Sequence, residues 1–266
     1  MIDGTNYAQA QLFLGTLALT QPRILALCVM LPIFNRQVLP GMLRYAVSAA
    51  LGLLLVPMLM PEYARLDLHA LALILIIGKE VFIGLTLGLL AAIPFWVFEA
   101  VGFIVDNQRG ASMGSILNPA TGDDSSPLGI LFNQAFIVFF LVSGGFALTL
   151  TMVYDSYRLW DLWSWTPTLS RESAPLILDQ FSRLMRMTLL WAAPAVIAMF
   201  LAELGLALAS RFAPQLQVFF LAMPIKSALA LLVLVLYMST LFEYARDTND
   251  DVLTILPFLD DQWRAP

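Results

Sequence analysis

Charged residues are scarce in this sequence: Asp, Glu, Lys and Arg make up 12% of its 266 residues, about half the share usual in a soluble domain. With 60% hydrophobic residues, the chain reads as a membrane protein. Basic residues are few and scattered. The 14 Lys and Arg, set against 19 Asp and Glu, form no stripe, and this excludes a nucleic-acid surface. Cys28 is the one cysteine and His69 the one histidine, so neither a disulfide framework nor a Cys/His metal cluster can form within the chain. Cys28, inside "RILALCVMLPIF", reads as a small apolar packing residue.

Catalytic machinery is equally thin. A Ser-His-Asp arrangement would rest on His69 alone. No Walker loop occurs, nor a G-x-G-x-x-G after a strand. Asp123 and Asp124 are adjacent acids in a Gly/Ser/Pro loop, more simply solvated than metal-binding. The N-terminus, "MIDGTNYAQAQLFLG", has no positive region or small-residue cleavage site and is expected to stay in the mature chain. No enzyme, cofactor or metal is expected; a transporter, a channel component and a scaffold remain.

What the sequence has is apolar runs of about the 20 residues that span a bilayer. Six occur, at about 7–34, 44–60, 68–105, 129–153, 187–210 and 212–242. Most carry a flaw. Pro22 and Arg23 interrupt the first; Pro57 and Pro61 close the second. The third is too long for one crossing and is expected to break around Lys79, Glu80, Pro94 and Glu99. The fourth is the cleanest, with only Asn133 and Gln134 near its start. Pro194 and Glu203 lie in the fifth, and Pro214, Pro224 and Lys226 in the sixth. Prolines at membrane depth predict kinked, short or re-entrant helices whose freed backbone groups meet protein or water.

A charge facing lipid costs about 2.5 to 3.5 kcal/mol by insertion scales. Lys79, Glu80, Glu99, Glu203 and Lys226 therefore suggest helices packed in a larger assembly, with partners on neighbouring chains; snorkelling near the end of a span is the alternative, most reasonable for Glu99. Gly84 and Gly88 have the small-xxx-small spacing that lets helices approach closely. Trp160, Trp163 and Trp165 fit an interfacial belt or core packing equally. The loops give no orientation, because their charges nearly cancel. The end of the chain from Glu243, with Asp247, Asp250, Asp251, Asp260 and Asp261, reads as a solvated acidic tail.

Between the third and fourth runs lies the polar, glycine-rich "VDNQRGASMGSILNPATGDDSSPLG". By its residues alone it is a surface loop between helices. Gly110, Gly114 and Gly122 permit tight, changeable backbone paths, and Met113, Ile116 and Leu117 offer deformable apolar surface.

Four blocks carry a resemblance: "RILALCVMLPIFNRQVLPGMLRYAVSAALGLLLVP", "GKEVFIGLTLGLLAAIPFWVFEAVGFIVDNQRGAS", "LNPATGDDSSPLGILFNQAFIVFFLVSGG" and "LLWAAPAVIAMFLAELGLALASRFAPQLQVFFLAMPIKS". In order from Arg23 to Ser227, they resemble the SctT/FliR family of type III secretion export-apparatus proteins. The "DNQRG" and "NP…G…SPLG" pieces look more like the injectisome (SctT) branch than the flagellar one. Gln217 departs from a frequent asparagine.

The resemblance implies an all-α subunit of a helical, pore-enclosing export gate built with SctR-type and SctS-type subunits and joined by an SctU-type switch protein. The gate passes unfolded effector and needle proteins across the bacterial inner membrane, and much of it is lifted toward the periplasm. Residues 1–185 would be an SctR-like portion, 186–242 an SctS-like hairpin and 243–266 the acidic tail. Segment 110–127 would plug the closed channel, with Arg109, Gly110, Ser112, Met113, Gly114, Ile116, Leu117, Asn118, Pro119, Gly122 and Pro127 as its residues. A flagellar counterpart is the alternative within the family. An independent small-solute transporter, the alternative outside it, needs a self-contained site within one chain.

Overall fold

Apolar backbone away from water must satisfy its own hydrogen bonds, and a helix does so within one segment. The computed structural model describes residues 4–35, 39–65, 69–111, 126–164, 173–212, 218–250 and 252–263; among them regular structure is helical throughout. The fold is all-α. In chain order the helices are α1 (Gly4–Met30), a 3-10 turn (Pro32–Phe34), α2 (Gly41–Leu53), α3 (Val56–Tyr63), α4 (Ala70–Arg109), α5 (Pro127–Val142), α6 (Gly145–Leu159), α7 (Ser173–Phe212), α8 (Val218–Asp250) and α9 (Val252–Trp263). Four of the helices are long and apolar enough to cross a membrane, or up to six spans exist if each bent pair counts as one.

Two runs differ from expectation. The fourth is not one clean span but two helices, α5 and α6, separated at Gly144, whose φ of +86° is a left-handed stop that glycine adopts at little steric cost. The third, expected to break, is a single helix of 40 residues running through Lys79, Glu80, Pro94 and Glu99. At 1.5 Å per residue it is about 60 Å long, about twice a bilayer's hydrocarbon core. α4 is therefore longer than one upright crossing needs. Pro22, Pro194 and Pro224 likewise sit inside α1, α7 and α8; Pro214 and Gln217 fall outside the described residues.

The chain forms two compact units, Met1–Ala92 with Gly145–Ala174 and Asp251–Pro266, and Ile93–Gly144 with Pro175–Asp250. In the first, α4 runs parallel to α1. Glu80, Gly84 and Gly88 form an i, i+4, i+8 stripe on its contact face. A methyl at Gly84 would strike the Arg23 carbonyl and Ala26, and one at Gly88 would meet Met30 and Leu27. The missing side chains bring the α4 backbone close enough for Arg23 to reach Glu80 from α1.

That pair is fully buried. Arg23 Nε and Nη2 donate to the two Glu80 oxygens at 2.7 and 2.9 Å, Nη1 to Ser156 Oγ at 3.0 Å, and Nη2 also to the Trp160 carbonyl at 2.9 Å. The guanidinium lies 3.9 Å from the centre of the Tyr157 ring, whose hydroxyl donates to the Thr20 carbonyl at 2.8 Å. Lys79 Nζ sits 3.2 Å from Glu80 Oε1 and donates to the carbonyls of Asp161, Leu162 and Ser164 at 2.8 to 2.9 Å. These carbonyls follow the C-terminus of α6, the helix end that favours a cation. The cluster joins α1, α4 and α6.

Around it pack the remaining parts of the unit. Cys28 is buried among Ile24, Phe34, Phe146 and Val153. Trp160 is buried against Trp263 with ring centres 4.7 Å apart, so core packing is its role; the half-buried Trp163 stacks on Tyr63 at 5.7 Å, and Trp165 lies outside the described residues. The acidic end of the chain keeps Glu243, Asp247 and Asp261 exposed, as expected, yet it is helical and packed along one face. Residues 243–250 continue α8, and α9 buries Val252, Leu256, Leu259 and Trp263 while carrying Asp260 and Asp261. Apolar residues at i, i+4 and i+7 give this helix one buried face.

In the second unit, α5 returns antiparallel along α4. The level pairs are Gly102 with Gly129, Glu99 with Asn133, and Phe95 with Phe136 and Phe140. Phe98 stacks on Phe136 at 4.6 Å, meets Trp191 of α7 edge-on at 5.4 Å and lies 6.2 Å from Phe242 of α8. The rings are the core of this unit. α7 and α8 are antiparallel, joined by Trp191 on Tyr244 at 5.9 Å and by Glu203 with Lys226. Their apolar windows are only 17% buried, against 72% for α4; α4 is an internal helix, and α7 and α8 present apolar faces outward.

Removing one partner of a buried ion pair strands the other charge, at about 3 to 5 kcal/mol. Arg23→Met or Glu80→Leu alone is expected to lower unfolding stability in detergent by about that amount. The double variant removes both buried partners and leaves only Lys79 without its carboxylate, still held by three carbonyls, and is expected to recover part of the loss in the same measurement.

Candidate functional site

The polar segment singled out in the sequence is rooted in two helix ends. α4 stops at Arg109, where Gly110 turns left-handed with φ +83°. The Ala111 amide donates to the Asp106 carbonyl at 3.0 Å and the Gly110 amide to the Asn107 carbonyl at 3.1 Å, the paired bonds of a Schellman stop. α5 opens with Pro127, whose missing N–H is of no consequence in the first turn. Its N-cap is Ser126, whose Oγ accepts from the Gly129 amide at 2.8 Å.

One carboxylate fastens both ends. Asp106 Oδ1 accepts from Arg109 Nε at 2.7 Å and Nη2 at 2.6 Å. Oδ2 accepts from the Ser126 hydroxyl at 2.6 Å and the Leu128 amide at 2.9 Å. The side chain is buried, and a buried carboxylate is tolerable only when ionic and hydrogen-bonding partners surround it. Gly102 completes the joint, since a methyl there would lie 2.5 Å from the Leu128 backbone. Met223 of α8 rests over Gly110, where a methyl would meet its Cε at 3.6 Å. The clamp fixes where the loop leaves α4 and where it re-enters α5.

Of the residues assigned to the plug, Arg109, Gly110 and Pro127 are at these roots. Ser112, Met113, Gly114, Ile116, Leu117, Asn118, Pro119 and Gly122 lie outside the described residues, as do Asp123 and Asp124. Asp106 was not among the residues picked out from the sequence. Its signal was present in "DNQRG": an acid three residues before an arginine, directly ahead of a helix-stopping glycine.

The apolar-run charges have partners within the chain. Lys79 and Glu80 belong to the Arg23 cluster. Lys226 Nζ is 3.1 Å from Glu203 Oε2, so the neighbouring-chain partner expected for Lys226 is replaced by one on the adjacent helix of its own hairpin; the antiparallel run of α7 and α8 brings the two level. Glu99 is exposed and accepts one hydrogen bond, from Asn133 Nδ2 at 2.9 Å. Among the described residues no group of His, Cys, Asp and Glu is disposed to hold a metal ion. The buried polar groups hold helices and loop ends in place; they present no nucleophile and base to a substrate.

The sequence matches the family of bacterial export proteins, family 1, over residues 14–252. The chain belongs to this family. It is 42% identical over 250 residues to Yop proteins translocation protein T of Yersinia pestis, covering 92% of this chain and 95% of that protein. To surface presentation of antigens protein SpaR of Salmonella typhimurium it is 33% identical, covering 88% and 86%. To flagellar biosynthetic protein FliR of Bacillus subtilis it is 28% identical, covering 85% and 86%. This SctT/FliR-family export protein is a membrane-embedded component of a multi-subunit type III export apparatus, and its family is one of transport proteins, not of enzymes.

Asp106→Ala leaves Arg109, the Ser126 hydroxyl and the Leu128 amide without their acceptor, a loss of about 3 kcal/mol for charge-assisted bonds in a buried place. Ser126→Ala removes a cap worth about 1 kcal/mol. Thermal unfolding of the two variants in detergent is expected to show Asp106→Ala as clearly the less stable.

Proposed function

We propose that this chain is the SctT-like subunit of an injectisome export gate. With SctR-type and SctS-type subunits it forms the channel through which unfolded effector and needle proteins cross the inner membrane, and an SctU-type switch protein joins them. The branch rests on identity: 42% to a Yop translocation protein against 28% to a flagellar protein over similar lengths. Residues 1–185 serve as the SctR-like portion and 186–242 as the SctS-like hairpin, a reading supported by the antiparallel α7 and α8 with their outward apolar faces. Helix α4, too long for one crossing, is consistent with a gate that projects toward the periplasm.

Segment 110–127 is the plug of the resting channel. The observation that carries this reading is the Asp106 clamp: a carboxylate buried on one side of the loop holds both its ends, so the segment leaves and returns at one fixed point while its own sequence is rich in Gly and Ser. A solute-transport reading is disfavoured, because the buried cluster around Arg23 is saturated by its own partners.

Replacing residues 112–125 with a short Gly/Ser link, with Asp106 and Ser126 kept, tests the plug. Complexes are expected to assemble in normal yield and to conduct ions at rest. Assembled complexes with unchanged resting conductance would remove the plug from this segment.

A further inference from the structure

Glu99 is the one acid in "IPFWVFEAVGFIV", an apolar stretch in the second half of α4. Its side chain is exposed, and Asn133 Nδ2 supplies its single hydrogen bond, although a carboxylate has room for about four. Asn133 has the complementary shortage: its Oδ1 is buried and accepts from nothing. A carboxylate can only accept, so the amide nitrogen must be the end facing Glu99, and the orientation of Oδ1 follows. Two acceptors thus stand together, both short of donors. Among the described residues no Lys or Arg is paired with Glu99; Arg109 and Lys226 of the same unit are held by Asp106 and Glu203.

The surroundings define what fits. Phe103 follows Glu99 by one turn on α4, and Ile130, Leu131 and Val138 of α5 are exposed with Gln134 among them. The polar spot therefore sits within an oily helical face. Hydrocarbon leaves both acceptors unsatisfied at several kcal/mol per charge, and a hydroxyl or amide leaves the carboxylate without a counter-ion. A donor-only cation supplies the exposed carboxylate with both a counter-ion and donors, having several N–H groups and no lone pair to clash.

We infer that the α4–α5 face at Glu99 and Asn133 is an intersubunit contact that receives one Lys or Arg from an apolar helix of a neighbouring subunit. The inference rests on the chain's place in a multi-subunit apparatus and not on the plug, so its test and the plug's fail separately.

The sign of one substitution separates the occupants. In the complete apparatus extracted in detergent, Glu99→Leu is expected to lower recovery of the intact complex at least tenfold, because it strands the partner's cation, and Asn133→Leu is expected to lower it several-fold. A photo-crosslinking residue at Val138 is expected to capture a sister subunit, and a Lys or Arg of that subunit near the crosslink, changed to Glu, is expected to restore recovery of Glu99→Lys. Recovery unchanged or raised by Glu99→Leu would mark a lipid-facing site, and unchanged recovery with altered conductance a water-filled lumen; either result overturns the inference. Should Glu99→Leu fail to accumulate in membranes, the charge-reversal pair decides: restoration supports the contact, and its absence refutes it.

Discussion

A guanidinium buried inside an apolar helix bundle leaves little freedom in how that bundle is built. Arg23 has its donors directed at Glu80, Ser156 and the Trp160 carbonyl, and a ring against its face; those groups must arrive from two other helices. α1 supplies the cation, α4 the acid, and α6 the hydroxyl, the ring and the carbonyl beyond its end. The glycine stripe of α4 is the steric condition for the meeting, and Lys79 draws the turn after α6 down onto the same helix. Apolar packing alone is weakly directional among helices surrounded by other apolar matter. Fixed polar partners choose one arrangement from many, and here they set the register of three helices at once.

The second unit uses different means for a different purpose. Its core is aromatic, with Phe95, Phe98, Phe136 and Phe140 in edge and stacked contacts of the kind worth about 0.5 to 1.5 kcal/mol per pair beyond burial. Its buried carboxylate, Asp106, fastens helix ends and does not set helix register. The first unit's charge cluster makes a scaffold, and the second unit's carboxylate anchors a connection between two helices that diverge from a glycine-tight crossing.

Much of the helical architecture was legible in the sequence, because run length and hydropathy report directly on helices that must satisfy their own backbones. All six apolar runs correspond to helices, and Gly84 and Gly88 lie at a close helix crossing. Breaks were harder to read. Pro94, Lys79 and Glu80 suggested an interruption in α4 that protein partners make unnecessary, whereas Gly144 stops a run containing no proline or charge. Charge partners were the least legible: Glu80 meets Arg23, 57 residues away, and Lys226 meets Glu203, 23 residues away, distances that no local pattern reveals. Asp106 was locally readable as part of a helix stop, yet its bond to Ser126 depends on the return of α5.

The last helix adds a constraint of timing. α9 follows α8 of the second unit but lays Trp263 against Trp160 and Phe82 of the first. Phe82 of α4 and Trp160 at the end of α6 therefore stay without this cover until α9 is made, and non-local closure of this sort slows folding. During that interval their oily flank is open to whatever else is nearby, and premature termination ahead of Val252 would bare Phe82 and Trp160, far from the lesion in sequence.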